Sequence, residues 1–158
     1  MADIVDAATR SRMMSGIRGK DTKPEHLVRR GLHARGFRFR LHGSKLPGRP
    51  DLVLPKYSAA ILVHGCFWHA HGCSLTKMPK TRSEFWKQKL EGNQVRDARQ
   101  LAELRLMGWR TLVIWECALR GPKDLVEFTL HNAANWLRTG DAAAEIARSD
   151  WPLPPAAS

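Results

Sequence analysis

This sequence has little material for disulfides, for membrane spans, or for acid in its first third. Its cysteines number three, Cys66, Cys73 and Cys117. An odd count this small argues against a disulfide framework and leaves metal binding or plain burial as their uses. No apolar run approaches the roughly 20 residues a helix needs to cross a bilayer. The longest, AAILV and TLVIW, have the length of buried strands. The opening residues MADIVDAATRSRMMSG lack the apolar centre of a secretory leader, so a cytoplasmic protein is expected. Acidic residues are scarce at the front: positions 1–49 hold 12 Lys/Arg against 4 Asp/Glu, whereas the remainder holds 14 against 11. The net charge of +11 is therefore concentrated in the N-terminal third. No basic stretch has a clear apolar face, so the partner expected is nucleic acid rather than a membrane. A merely soluble basic protein is the bland reading of the same charge.

With 158 residues and 43% apolar content, the chain suits one folded domain. Residues 1–20 read as a basic arm, and DTKPEHLVRRGLHARG as a helix. Thr22 is its N-cap, Pro24 is tolerated in the first turn, Glu25 stands at the capping-box position and Gly36 ends it. FRFRLH alternates like a half-buried strand, with Arg38 and Arg40 on one face. PDLVLP and AAILVHG form a hairpin of central strands. Two helices follow, RSEFWKQKLEG and NQVRDARQLAELRLMG, then the strand WRTLVIWEC and a closing helix up to Gly140. Residues 21–139 are thus the domain, and 140–158 a tail expected to fray. The order gives a mixed sheet flanked by helices, an α/β or α+β core.

The stretch HGCFWHAHGC, His64 to Cys73, crowds metal ligands around two aromatics. Zinc takes four tetrahedral Cys or His ligands. Cys66, Cys73 and Cys117 supply three, and His71, two residues before Cys73, is the natural fourth. Cys66 and Cys117 each end a strand, and neighbouring strand ends can bring them together. Such a closed site is structural. The competing reading is three small buried hydrophobes. His64 and His69 are left over, beside Asp51 at the start of a strand, as an acid–base and Mg2+ constellation. A lone Asp after Pro is otherwise a turn residue.

RPDLVLPKYSAAILVHGCFWHAHGC resembles the Vsr family of very-short-patch-repair endonucleases. The upstream TRSRMMSGIRGKDTKPE and the downstream EFWKQKLEGNQVRD and LMGWRTLVIWEC do so as well. The resemblance implies a restriction-endonuclease-like core with a structural zinc. It implies a Mg2+-dependent enzyme that nicks double-stranded DNA 5′ to the T of a T:G mismatch, the product of 5-methylcytosine deamination. Asp51 is then the Mg2+ carboxylate. Val63 is a second ligand through its carbonyl, where the family pattern has a hydroxyl residue. His69 is the general base or its assistant, and His64 contacts the scissile phosphate or a water on the metal.

By the same resemblance Asp97 orients His69, although an exposed helix charge is its plain reading. Glu25 lies near the active site, although a helix cap explains it as well. Phe67, Trp68 and Trp86 are the wedge that enters the duplex, against core packing from composition alone. Arg10, Arg12, Arg18, Lys20 and Lys23 neutralise phosphates, against a solvated tail. The partners implied are mismatched DNA, mismatch-repair proteins and a repair polymerase, with the enzyme a monomer. A Vsr-like nuclease of different or relaxed target, and a zinc-stabilised DNA-binding module without activity, are the rival functions.

Overall fold

The structure, a computed structural model, describes residues 22–152. The arm residues Arg10, Arg12, Arg18 and Lys20 lie outside the described residues, and Lys23 lies within them.

Helix α1, Lys23–Ala34, begins where the sequence supplies a cap: the Thr22 hydroxyl accepts the Glu25 N–H at 3.4 Å. It ends in a Schellman turn. Gly36 takes a left-handed φ of 91°, the Phe37 N–H reaches the Leu32 carbonyl and the Gly36 N–H that of His33. The expected FRFRLH strand shrinks to β1, Arg40–Leu41, because only those two residues pair with a neighbour. Strands β2, Leu52–Leu54, and β3, Ala59–His64, form the expected antiparallel hairpin, joined by a 3-10 turn at Pro55–Tyr57.

The two helices expected next are one, α2, Ser83–Leu106, which runs through Gly92. A mid-helix glycine costs about 1 kcal/mol against alanine, which a helix this long absorbs. A second Schellman turn, at Gly108, ends it. β4, Arg110–Trp115, and α3, Lys123–Thr139, follow as expected. The segment expected to fray instead contributes β5, Ala143–Ile146, which pairs in parallel with β4 from Thr111↔Ala143 to Ile114↔Ile146.

The sheet order is β1-β2-β3-β4-β5, antiparallel through β3 and parallel beyond it. Alternate residues serve its two faces, as a strand's period of two requires. Leu52, Leu54, Ile61, Leu112 and Ile114 pack with Val28 and Leu32 of α1 and Ala133 and Leu137 of α3. Ala60 and Leu62 pack on Leu104 of α2. β3 and β4 are covered on both faces and so read as continuous apolar runs. Among the described residues no helix is long and apolar enough to cross a membrane.

What this architecture does for function is set the ends of β3 and β4 side by side. Their register pairs His64 with Trp115, so the chain leaves both strands at one edge of the sheet, and Cys66 and Cys117 stand two residues further on.

Candidate active site

Two separate donor clusters and a His–Asp pair gather at that edge. The first is the thiol cluster. After β3 the chain turns back through Ala70 and Gly72, both at positive φ, and the His71 N–H closes the turn on the Cys66 carbonyl at 2.9 Å. The short 3-10 turn Glu116–Ala118 presents Cys117 opposite. Donor atoms of Cys66, His71, Cys73 and Cys117 lie within 4.8 Å of one another. All three cysteines are free of disulfides.

Each sulfur accepts a backbone N–H: Cys66 from Cys117, Cys73 from Leu75, and Cys117 from Arg148, each at 3.4 Å. Burial pushes the Cys66 and Cys117 thiols up, Cys66 well beyond the ordinary range. Slight burial opposes the shift of Cys73. The Leu75 N–H, with bonds from Cys66, Thr76 and Cys117, outweighs it and holds that thiol low. Three sulfurs and an imidazole at these separations fit a tetrahedral zinc, with N–H groups that favour thiolate. The ring of His71 lies flat on Trp115, 4.1 Å away, and the Trp115 indole N–H is held by Glu145 at 2.9 Å.

The second cluster is Glu25, His42 and Asp51, whose donor atoms also fall within 4.8 Å of one another. Asp51 precedes β2, and its Oδ2 accepts the Val63 N–H at 2.6 Å across the hairpin. Burial raises its carboxyl to about 7; the Val63 bond opposes this and the nearby Glu25 adds to it. Glu25 is a buried acid on α1. Besides its backbone N–H capping contact, its carboxylate takes Arg29 at 3.0 Å. Two carboxylates and an imidazole around one point, with one carboxyl raised by burial, are a donor set that fits a divalent cation.

His42 was not singled out from the sequence. It sits at a left-handed φ of 51°, and its N–H bonds the Asp51 carbonyl at 3.1 Å. That narrow pairing beyond β1 swings it beside Asp51.

The third group is the His–Asp pair. His69 Nδ1 lies 2.5 Å from Asp97 Oδ2 on α2, so this carboxylate faces the loop rather than open solvent. An acceptor on Nδ1 fixes the tautomer that leaves the lone pair on Nε2. The His64 and His69 rings stack in parallel, 3.8 Å apart. Burial first, and then the charge of His69, lower the His64 pKa to about 3, with Asp97 opposing. His64 is therefore a neutral imidazole at ordinary pH.

α2 grips the intervening loop at two further points, neither signalled in the sequence. Asn93 donates to the Trp68 carbonyl at 2.8 Å, and Gln94 to that of Ala70 at 2.9 Å. With the loop pinned on both sides, Phe67, Trp68 and Trp86 form one aromatic cluster with ring centroids 5.1–5.9 Å apart. Neither Phe67 nor Trp68 is in the core; both are half-exposed.

A single cleft of about 1060 Å³ is lined by Glu25, His42, Asp51, Val63, His64 and His69, by Asp97, and by Phe67 and Trp68. Lys23 is not among its walls. It lines a separate groove with residues of α1 and α3.

Comparison with known proteins adds relatives to this geometry. Residues 2–75 match the family model for the DNA mismatch endonuclease Vsr. The chain is 44% identical over 147 residues to the DNA mismatch endonuclease Vsr of Escherichia coli strain K12, covering 92% of this chain and 94% of that one. It is 46% identical over 119 residues, 75% of this chain and 88% of the relative, to the type II nicking enzyme V.XorIIP of Xanthomonas oryzae pv. oryzae. The type II nicking enzyme V.NmeAIP of Neisseria meningitidis is 42% identical, covering 76% and 86%. Identity at this level over nearly the full length, on a chain that assembles the HGCFWHAHGC residues at one sheet edge, makes the protein a member of the Vsr family of DNA mismatch endonucleases.

Proposed function

We propose that the chain is a Mg2+-dependent, T:G mismatch-specific DNA nicking endonuclease on a restriction-endonuclease-like core, with one structural zinc. The observation that carries this reading is the shared cleft. Carboxylates suited to a hard cation, a His–Asp pair and the aromatic side chains of Phe67 and Trp68 all line it, beside a thiol cluster suited to zinc. Nicking is the activity in the names of several relatives, and mismatch in that of the Escherichia coli enzyme.

Asp51 and Glu25 would hold the divalent ion, with the Val63 carbonyl as a further ligand. When bound, the ion supplies Lewis-acid stabilisation of the phosphoryl charge. His69 takes the proton from the attacking water at Nε2, while Asp97 holds the ring in position and offsets the charge that develops on it. His64, neutral and stacked on His69, can donate one hydrogen bond to the phosphate without adding charge. Water attacks in line and the 3′ oxygen leaves, so the nick carries a 5′-phosphate.

The cap contact of Glu25 runs through its backbone N–H and survives any side chain, so replacement by Gln, which keeps the size, isolates the loss of charge. Glu25→Gln is expected to keep the helical content and lose nicking by about 100-fold, the order of a general electrostatic contribution. Single-turnover rates beside a circular-dichroism melt measure both. Near-normal nicking would leave Glu25 only its structural part.

Phe67 and Trp68 act as the wedge. Unstacking costs a few kcal/mol per step and least at a mispair, so a wedge by itself favours mismatched DNA. Trp68→Ala is therefore expected to retain zinc and fold but lose most of the T:G-over-C:G preference. Base–aromatic stacking of about 1–3 kcal/mol sets that loss at roughly 5- to 100-fold. The ratio of nicking rates on matched and mismatched duplexes measures it, and an unchanged ratio would remove the wedge from the account.

A further inference from the structure

One residue at the Glu25–Asp51 cluster has no part in that mechanism. Arg29 lies one helical turn after Glu25 on α1, and its guanidinium reaches inward. Nη2 is 3.0 Å from Glu25 Oε2 and 3.2 Å from His42 Nε2, with side-chain exposures of only 11% for Arg29 and 7% for Glu25. Its charge also reaches Asp51. A guanidinium is charged at every working pH, so it neither withdraws by deprotonation nor accepts a hydrogen bond. His42 Nε2 must therefore present its lone pair to Arg29, and that lone pair is the one a metal ion would use. The oxygen of Glu25 keeps a second lone pair, but the guanidinium charge beside it opposes a cation there. A divalent ion and the Arg29 guanidinium cannot both hold His42 Nε2.

We propose that Arg29 is a resident counter-cation of the carboxylate pair, which a divalent ion must displace from His42 Nε2 to bind with its full ligand set. The inference rests on the reading of this cluster as the divalent-metal site. Before the ion arrives, Arg29 offsets negative charge in the buried carboxylate pair. Once displaced, it frees a nitrogen donor. His42 then gives the site a softer component than carboxylates alone, so Mn2+ gains more from the displacement than Mg2+ does.

The test is Mn2+ binding to the zinc-loaded full chain without DNA, read by electron paramagnetic resonance. Removing a unit positive charge next to the site should tighten binding by Arg29→Gln about tenfold or more, whereas Arg29→Lys, which keeps the charge, should stay within about threefold of wild type. Asp51→Asn should abolish the high-affinity signal in any background. If Asp51→Asn abolishes binding but Arg29→Gln binds no more tightly than wild type, the counter-cation role is overturned and the metal site stands. If Asp51→Asn binds Mn2+ like wild type, the metal site itself is overturned, and the role of Arg29 with it. Should Arg29→Gln not fold, the wild-type chain still decides. The slow exchange of the Arg29 guanidinium protons should be lost on saturation with Mg2+, and its retention would overturn displacement.

Discussion

Asp51→Asn is expected to abolish nicking, by at least about 10⁴-fold, in a protein that is as stable as the parent or more so. Two facts set the direction. The Val63 N–H bond at 2.6 Å survives, because the asparagine carbonyl oxygen can accept it where the carboxylate does. What is lost is the negative charge at a place where burial already opposes it, raising the carboxyl to about 7. The size of the loss follows from the role proposed for Asp51: removing one donor to developing phosphoryl charge costs about 10²–10³, and here the cation goes with its ligand.

The same raised value fixes the sign of the pH dependence. The folded state keeps a proton on Asp51 between pH 4 and 7 while the unfolded chain has released it, so metal-free protein loses stability as pH rises through that window. Asp51→Asn does not. The difference between the two urea midpoints should therefore grow in favour of the variant from pH 5 to pH 7 and level off above. A variant less stable than wild type across that range would mean that the carboxylate stabilises the fold, contrary to its environment.

Cys73→Ser is expected to lose zinc and, with it, both stability and activity. Cys73 is half-buried, and serine is close in size, so little of the effect comes from packing. The cluster joins the loop from Cys66 to Cys73 to the turn carrying Cys117. Structural zinc contributes of order 10 kcal/mol in small domains. This chain has a separate apolar core on the opposite face of the sheet, so a smaller loss suffices here: a fall in Tm of more than about 10 °C. His69 and Trp68 sit in the loop between Cys66 and Cys73, so nicking should fall with metal content across partially loaded samples. Elemental analysis should give one zinc per wild-type chain and a trace in the variant. A wild-type chain with no zinc and full activity would leave the three thiols as ordinary buried residues.

Much of this site could be read from the sequence because its signals are local. Gly36 and Gly108 ended helices because only a residue at ease with positive φ closes a Schellman turn. Cys66 and Cys117 could be paired because two apolar runs of strand length, each followed by a cysteine, meet when the strands lie side by side. His42 could not be found that way. Its place beside Asp51 depends on a left-handed residue beyond a two-residue strand, and nothing in RLHGS marks it.

Asn93 and Gln94 were equally hidden, since a polar residue on a long helix looks the same whether it faces water or a loop carbonyl. Ala143–Ile146 has weak strand propensity and owes its conformation to the open edge of β4, a tertiary effect. Gly92 misled in the other direction: a break in the pattern was not a break in the helix.

The most direct test is a strand-resolved nicking assay on duplexes carrying each mispair in randomised flanking sequence, with Mg2+ or with EDTA. One nick is expected, 5′ to the T of T:G, absent with EDTA and absent from T:A duplexes. Equal cutting of T:G and T:A, or cutting that persists in EDTA, would contradict it.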